Sequence, residues 1–253
     1  MQQQSTPVAM RCVWMDAGVL TYKLCDREFA CEECPLDMVL RKSDEPPLRE
    51  RTVPRLRVRC TAPEGLDEGT AKLIEPMTHV DLPEDLLYSP QHVWVRTLAS
   101  RAVLLGVDPA LATVLPDTSR LVLASGRAAL EKGKPFAWIY HGQRVLALRS
   151  PLTGTVLRQN PSAEHSIRTS TDGWVLAMMP SHLSEEVGDL QPARESAERH
   201  EKLLGRFATR ATRYMHADAG VVMNDGGVAI GSLEDALGEE RYFDLIRAVF
   251  FPR

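Results

Sequence analysis

With 253 residues and a net charge of −4, the chain has room for one large domain or two smaller ones, each with a real core. The acidic balance, with a pI near 6.0, argues against nucleic acid as the main partner, because phosphate binding wants a basic surface. No apolar run approaches the roughly 18–20 residues of a membrane span, and the start MQQQSTPVAM lacks a charged stretch leading into an apolar one, so a soluble, cytoplasmic protein is expected.

Residues 1–43 hold four of the five cysteines, spaced Cys12-x12-Cys25-x5-Cys31-x2-Cys34. The segment VWMDAGVLTYKL between the first two reads as two short strands around Asp16-Ala17-Gly18, which would bring Cys12 and Cys25 opposite each other. Cys31 and Cys34 follow on a knuckle-like turn, and Pro35 suits the first position of a helix PLDMVLRK. Cys34 would then sit at a helix N-terminus, where the dipole favours the thiolate that metal binding requires. Cytosolic disulfides are rare, and four thiolates from two such elements suit a closed tetrahedral zinc site. A four-cysteine iron–sulfur cluster is the alternative, and free thiols or a redox CxxC pair are the bland reading. Cys60 stands apart and reads as a spectator.

Residues 44–84 are rich in proline and charge (DEPPLRERTVP, APEGLDEG, DLPED) and read as a linker. The arginines Arg49, Arg51, Arg55, Arg57 and Arg59 fall within it and are expected to be solvated.

From 85 to 184 the texture changes to short apolar runs such as HVWV, AVLLGV, RLVLA, FAWIY and GWVLAMM, punctuated by Gly, Pro, Asp and Ser. Short β-branched and aromatic runs at this spacing predict a small barrel or sandwich. The runs FAWI and VLAL flank the tip Tyr140-His141-Gly142-Gln143-Arg144, a hairpin whose histidine is expected to be exposed.

Five motifs in this stretch occur in one order: Tyr88-Ser89-Pro90-Gln91-His92-Val93-Trp94-Val95, Leu105-Gly106-Val107-Asp108, Leu130-Glu131-Lys132-Gly133-Lys134-Pro135-Phe136, Ser150-Pro151-Leu152-Thr153-Gly154-Thr155-Val156, and Asn160-Pro161 with Gly173-Trp174-Val175-Leu176. Together they resemble the H protein of the glycine cleavage system. The resemblance implies a lipoyl-type barrel-sandwich hybrid. In that family a lysine at a hairpin tip carries lipoate on an arm that swings between active sites. Counting back from Ser150-Pro151, the lysine position falls on Gln143. An amide nitrogen is not nucleophilic, and no lysine occurs between Lys134 and Lys202. Lipoate is therefore not expected, and the turn residues His141, Gly142 and Arg144 mark a degenerate carrier position. The cysteine segment also resembles the N-terminal part of bacterial H-protein-like proteins of unassigned role.

Residues 185–253 read as a helix–hairpin–helix extension. Leu203, Leu204 and Phe207 share one face of a charged helix from about 192 to 215. Asn224-Asp225-Gly226-Gly227 signals a hairpin. Ser232 with Asp235 makes a capping box for a final helix whose apolar side includes Leu237, Phe243, Ile246 and Phe250.

The seven histidines show no metal-ligand spacing, with His92 taken as structural beside Trp94. No nucleophile elbow, phosphate loop or dinucleotide fingerprint occurs. The expectation is a mainly β protein with added helices, non-enzymatic, acting on protein partners as an adaptor or regulator. Two alternatives stand beside it: a carrier or accessory protein of glycine cleavage and one-carbon metabolism, and a redox or iron–sulfur sensor.

Overall fold

The computed structural model describes residues 12–16, 24–25, 53–98, 100–124, 129–160, 163, 173–218 and 231–252. Residues 1–52 form one unit and residues 53–253 another.

In the first unit a single helical turn, α1 (Val13–Asp16), follows Cys12. The expected strand before Asp16 is absent. The Cys12 carbonyl accepts from Met15 N–H at 2.9 Å, a local bond that wins where an isolated two-stranded ribbon is marginal in water. Cys12 is buried and Cys25 half-buried. Cys31 and Cys34 lie outside the described residues, so the four-thiolate knuckle has no description here. Among the described residues no group of three or more His, Cys, Asp or Glu side chains is placed to hold a metal.

The second unit corrects the linker expectation for residues 53–84. Strand β1 (Arg55–Arg59) pairs antiparallel with β2 (His79–Pro83), and helix α2 (Glu68–Ile74) lies between them in sequence. Leu56 and Val58 alternate with Arg55, Arg57 and Arg59, so the arginines occupy the outward side of a period-2 pattern. Across the ladder Arg57 Nε donates to Asp81 at 2.7 Å. Asp67 caps α2, accepting from Thr70 N–H at 3.0 Å.

The barrel follows as β3 (Leu87–Tyr88), β4 (Val93–Thr97), β5 (Val103–Val107), helix α3 (Pro109–Val114), β6 (Arg120–Leu123), β7 (Ala129–Leu130), β8 (Pro135–His141), β9 (Arg144–Arg149), β10 (Gly154–Gln159) and β11 (Leu176–Pro180). After the short helix α4 (Leu183–Glu186) comes β12 (Gln191–Pro192). One sheet runs β12-β3-β4-β5-β11-β10-β7 and a second β6-β8-β9, in keeping with the mainly β, barrel-sandwich expectation. The core between them contains Trp94, Leu105, Leu121, Phe136, Ile139, Leu148 and Met178. Gly106 stands opposite Trp94 across the β4–β5 ladder, and only a residue without Cβ leaves room for the indole.

Helix α5 (Ala193–Asp218) buries Leu203, Leu204, Phe207, Ala208 and Ala211, packing over β1 and β2 and against the last helix. The expected final helix is two: α6 (Leu233–Leu237), capped by Ser232 as predicted, and α7 (Glu239–Phe250). The break falls at Gly238, whose φ of +77° favours glycine. The Asn224–Gly227 turn lies outside the described residues. No helix among the described residues is long and apolar enough to cross a membrane.

Candidate functional site

The feature that combines an unusual residue with a built environment is the β8–β9 hairpin. Strand β8 runs through His141 and β9 resumes at Arg144, so only Gly142 and Gln143 form the turn. Gly142 adopts φ +55° while Gln143 has negative φ, as in a tight turn with glycine in the first central place. The tip is thus tighter than the five-residue tip read from sequence.

Gln143 is exposed, whereas His141 and Arg144 are held by partners. His141, expected at the surface, is 6% exposed. Its Nδ1 lies 3.1 Å from the Thr118 hydroxyl, and its Nε2 hydrogen-bonds the Glu234 carboxylate of α6. Arg144 donates from Nη2 to Glu240 at 2.8 Å and approaches Asp244 at 3.4 Å. Its guanidinium also lies 5.9 Å from the Phe243 ring centroid. A Cβ added to Gly142 would come within 2.1 Å of Glu239 Oε1. Helices α6 and α7 cover the flank of the hairpin, and their acidic first turns supply its partners.

Of the two lysines before the turn, Lys132 is held by Asp189 at 2.5 Å. Beside the tip, Val122, Tyr140 and Val145 project outward from β6, β8 and β9, more than two-fifths exposed each. Cross-strand pairing sets Tyr140 against Arg120 and Val145, and Val122 against Trp138. This apolar platform borders a shallow depression of about 590 Å³ lined by Thr118, Arg120, Val122, Tyr140 and Gly142.

A second constellation escaped the sequence reading. Asp108 caps α3, its Oδ1 accepting from Ala110 N–H at 2.8 Å, while Oδ2 accepts from His200 Nε2 at 2.9 Å. His200 Nδ1 donates to Ser196 O at 2.8 Å. Both are buried. A carbonyl and a carboxylate only accept, so both ring nitrogens carry protons and the pair is an imidazolium–carboxylate bridge. Burial opposes charge on either group, yet each partner outweighs it: the His200 pKa is raised and that of Asp108 is lowered. His92 is buried as expected and bonds Phe250 O through Nε2 at 2.6 Å, and its own pKa is lowered by burial. These contacts bolt α5 and α7 onto the barrel. The full burial of both partners suits a structural role. The only local signal was Asp108 before Pro109, a helix start; its partner lies far along the chain.

Residues 86–203 match the family model of the glycine cleavage H-protein, a stretch that runs past residue 184 into α5. A glycine cleavage system H protein of Myxococcus xanthus is 30% identical over 122 residues, covering 46% of this chain and 94% of the relative. That of Rubrobacter xylanophilus is 31% identical over 117 residues, covering 44% and 90%. A probable H protein of Pyrococcus furiosus is 26% identical over 121 residues, covering 46% and 90%. A crystal structure of an H protein from Mycobacterium marinum aligns with a TM-score of 0.40 at 21% identity, covering 47% of this chain and 98% of that one.

Proposed function

The chain belongs to the glycine cleavage H-protein family, and we propose that it is a non-enzymatic member that takes no lipoate and works by binding other proteins. The observation that carries this reading is the hairpin tip. The exposed carrier position is Gln143, whose amide cannot form the acyl linkage a lysine amine forms. Its neighbours His141 and Arg144 are committed to Glu234 and Glu240 within the same chain. A turn built for a swinging arm has become a turn clamped to its own helices. The face left open for a partner is the platform of Val122, Tyr140 and Val145, since exposed apolar groups of this kind favour a protein contact.

Intact-mass measurement after co-expression with a lipoate ligase tests the first part. An unmodified mass is expected; a lipoyl adduct on any lysine would return the protein to the carriers.

The same reading keeps Cys12, Cys25, Cys31 and Cys34 as a structural metal site, zinc ahead of an iron–sulfur cluster. The spacing supports it. Protein purified without oxygen should contain about one zinc per chain. Stoichiometric iron and sulfide would replace zinc by the cluster, and metal-free folded protein would remove the site.

A further inference from the structure

Helix α5 carries Arg199, Lys202, Arg206, Arg210 and Arg213 at successive steps of three, four, four and three residues. That rhythm keeps them on one face, along about 21 Å of helix at 1.5 Å per residue. The opposite face holds the buried Leu204, Phe207, Ala208 and Ala211, so the rotation of the helix is fixed and Lys202, Arg206, Arg210 and Arg213 stand exposed. Two concavities run along the stripe. One, of about 590 Å³, is lined by Arg199, Lys202 and Arg206. The other, of about 330 Å³, is lined by Arg206, Arg210 and Arg213, and Arg206 belongs to both.

The charges are poorly compensated. No acidic residue occurs in the helix between Lys202 and Asp218. Arg206 and Arg213 have no hydrogen-bond or ion-pair partner among the described residues, and Arg199 Nη2 is buried without one. Lys202 pairs with Glu198 at 2.5 Å, Arg210 donates to Ala248 O at 3.1 Å, and Arg199 reaches Gln191 Oε1 through Nη1 at 3.5 Å. Favourable interaction with the helix dipole reaches only the last turn, whose basic residue is His216, so it accounts for none of the five. Like charges four residues apart destabilise a helix, a cost a bare surface has no reason to carry.

We propose that this stripe docks a short acidic segment of a partner protein, its carboxylates lying over Arg206, Arg210 and Arg213. The surroundings select that occupant. Asp189, Glu195 and Glu198 line the concavity nearer the N-terminal end of α5 and would repel a nucleic-acid backbone running on past Arg206. The stripe is one helix wide, and the chain is net acidic at −4, unlike a nucleic-acid surface. A peptide with an acidic run followed by a neutral or basic end matches the charge order along α5. This surface stands apart from the hairpin platform, so it can hold whatever the fate of the lipoate reading.

The test is fluorescence anisotropy of the full-length chain with a labelled Asp/Glu-rich peptide long enough to cover the stripe (about 14–15 residues if helical). Saturable binding is expected, weakening steeply from roughly 50 to 200 mM salt. The double reversal Arg206→Glu/Arg213→Glu should weaken it by about tenfold or more, while Lys134→Glu leaves it unchanged. Both arginines are exposed, so an unaltered melting curve will show that the variant is folded. Salt-independent or absent binding overturns the proposal, as does full affinity in the double reversal. Tighter stripe-dependent binding of an oligo-dT strand or of phosphatidylserine vesicles, or a stripe-dependent dimer without peptide, overturns it in favour of that occupant.

Discussion

The imidazole of His141, the last residue of β8, hydrogen-bonds through Nε2 to the carboxylate of Glu234 in α6, and so fastens the hairpin to the C-terminal helices. The ring is 7% exposed and the carboxylate 25%, which places the contact between a surface pair and a fully buried one. A hydrogen bond to a charged group in such a site contributes roughly 1.5–3 kcal/mol. His141→Ala, Glu234→Ala and the double variant should give a coupling of about 1–2 kcal/mol in urea unfolding. Additive single effects would mean that the hairpin and α6 do not sense each other. Arg144, whose partner Glu240 is largely exposed, should matter less, by under about 1 kcal/mol.

Gly142 tests the turn itself. Its φ is +55°, and an added Cβ would meet Glu239 Oε1 at 2.1 Å. The carboxylate is the far end of a flexible side chain and can swing away, so backbone strain is the larger cost. Gly142→Ala should lower stability by about 1 kcal/mol, and Glu239→Ala should recover only a small part. A loss above about 3 kcal/mol would show that Glu239 is held rigidly in place.

Gly106 looks similar in sequence and is expected to behave differently. Its added Cβ would lie 2.2 Å from the ring carbons of Trp94, and that ring is fully buried in the barrel core. Neither the indole nor the β4–β5 ladder can yield by that distance, so overpacking applies in full. Gly106→Ala should cost about 3 kcal/mol or more, seen as a lower denaturation midpoint. Trp94→Phe should relieve part of it in the double variant. A near-neutral Gly106→Ala would mean that β4 and β5 can slide apart.

These contrasts show which features a sequence displays. The β8–β9 hairpin and the Ser232 cap are local, decided by residues within a few positions, and both were legible. The fold and family could be read because the motifs from Tyr88 to Leu176 keep one order. Strand β1 was missed because three arginines hide the alternation of Leu56 and Val58, and outward arginines resemble a solvated linker. The burial of His141 was missed because it depends on Glu234, far along the chain, and nothing beside the histidine announces that cover. The helical turn after Cys12 stands where a strand was expected, its Cys12 carbonyl taken by the local bond from Met15 N–H.

The Asp108–His200 bridge yields a pH signature. The folded pKa of His200 is raised, so its contribution is complete below the unfolded histidine value of about 6.5 and is lost as pH rises through the folded value. Asp108 is depressed in the fold, so its contribution is present above the unfolded value of about 3.9 and lost as pH falls below it. The bridge therefore stabilises most between about pH 4 and 6.5. His92, its pKa lowered by burial, works the other way: its neutral ring favours the fold less as pH drops below about 6.5. The Asp108 charge partly offsets that lowering, so the term does not cancel in Asp108→Asn and adds to its cost below about pH 6.5. Asp108→Asn leaves a buried imidazole without its counter-charge and should cost about 3 kcal/mol near pH 5.5, shrinking towards pH 9 as His200 discharges in the parent. Chemical denaturation of both proteins across that range checks it. A difference that stays flat with pH would mean that His200 is neutral in the folded protein.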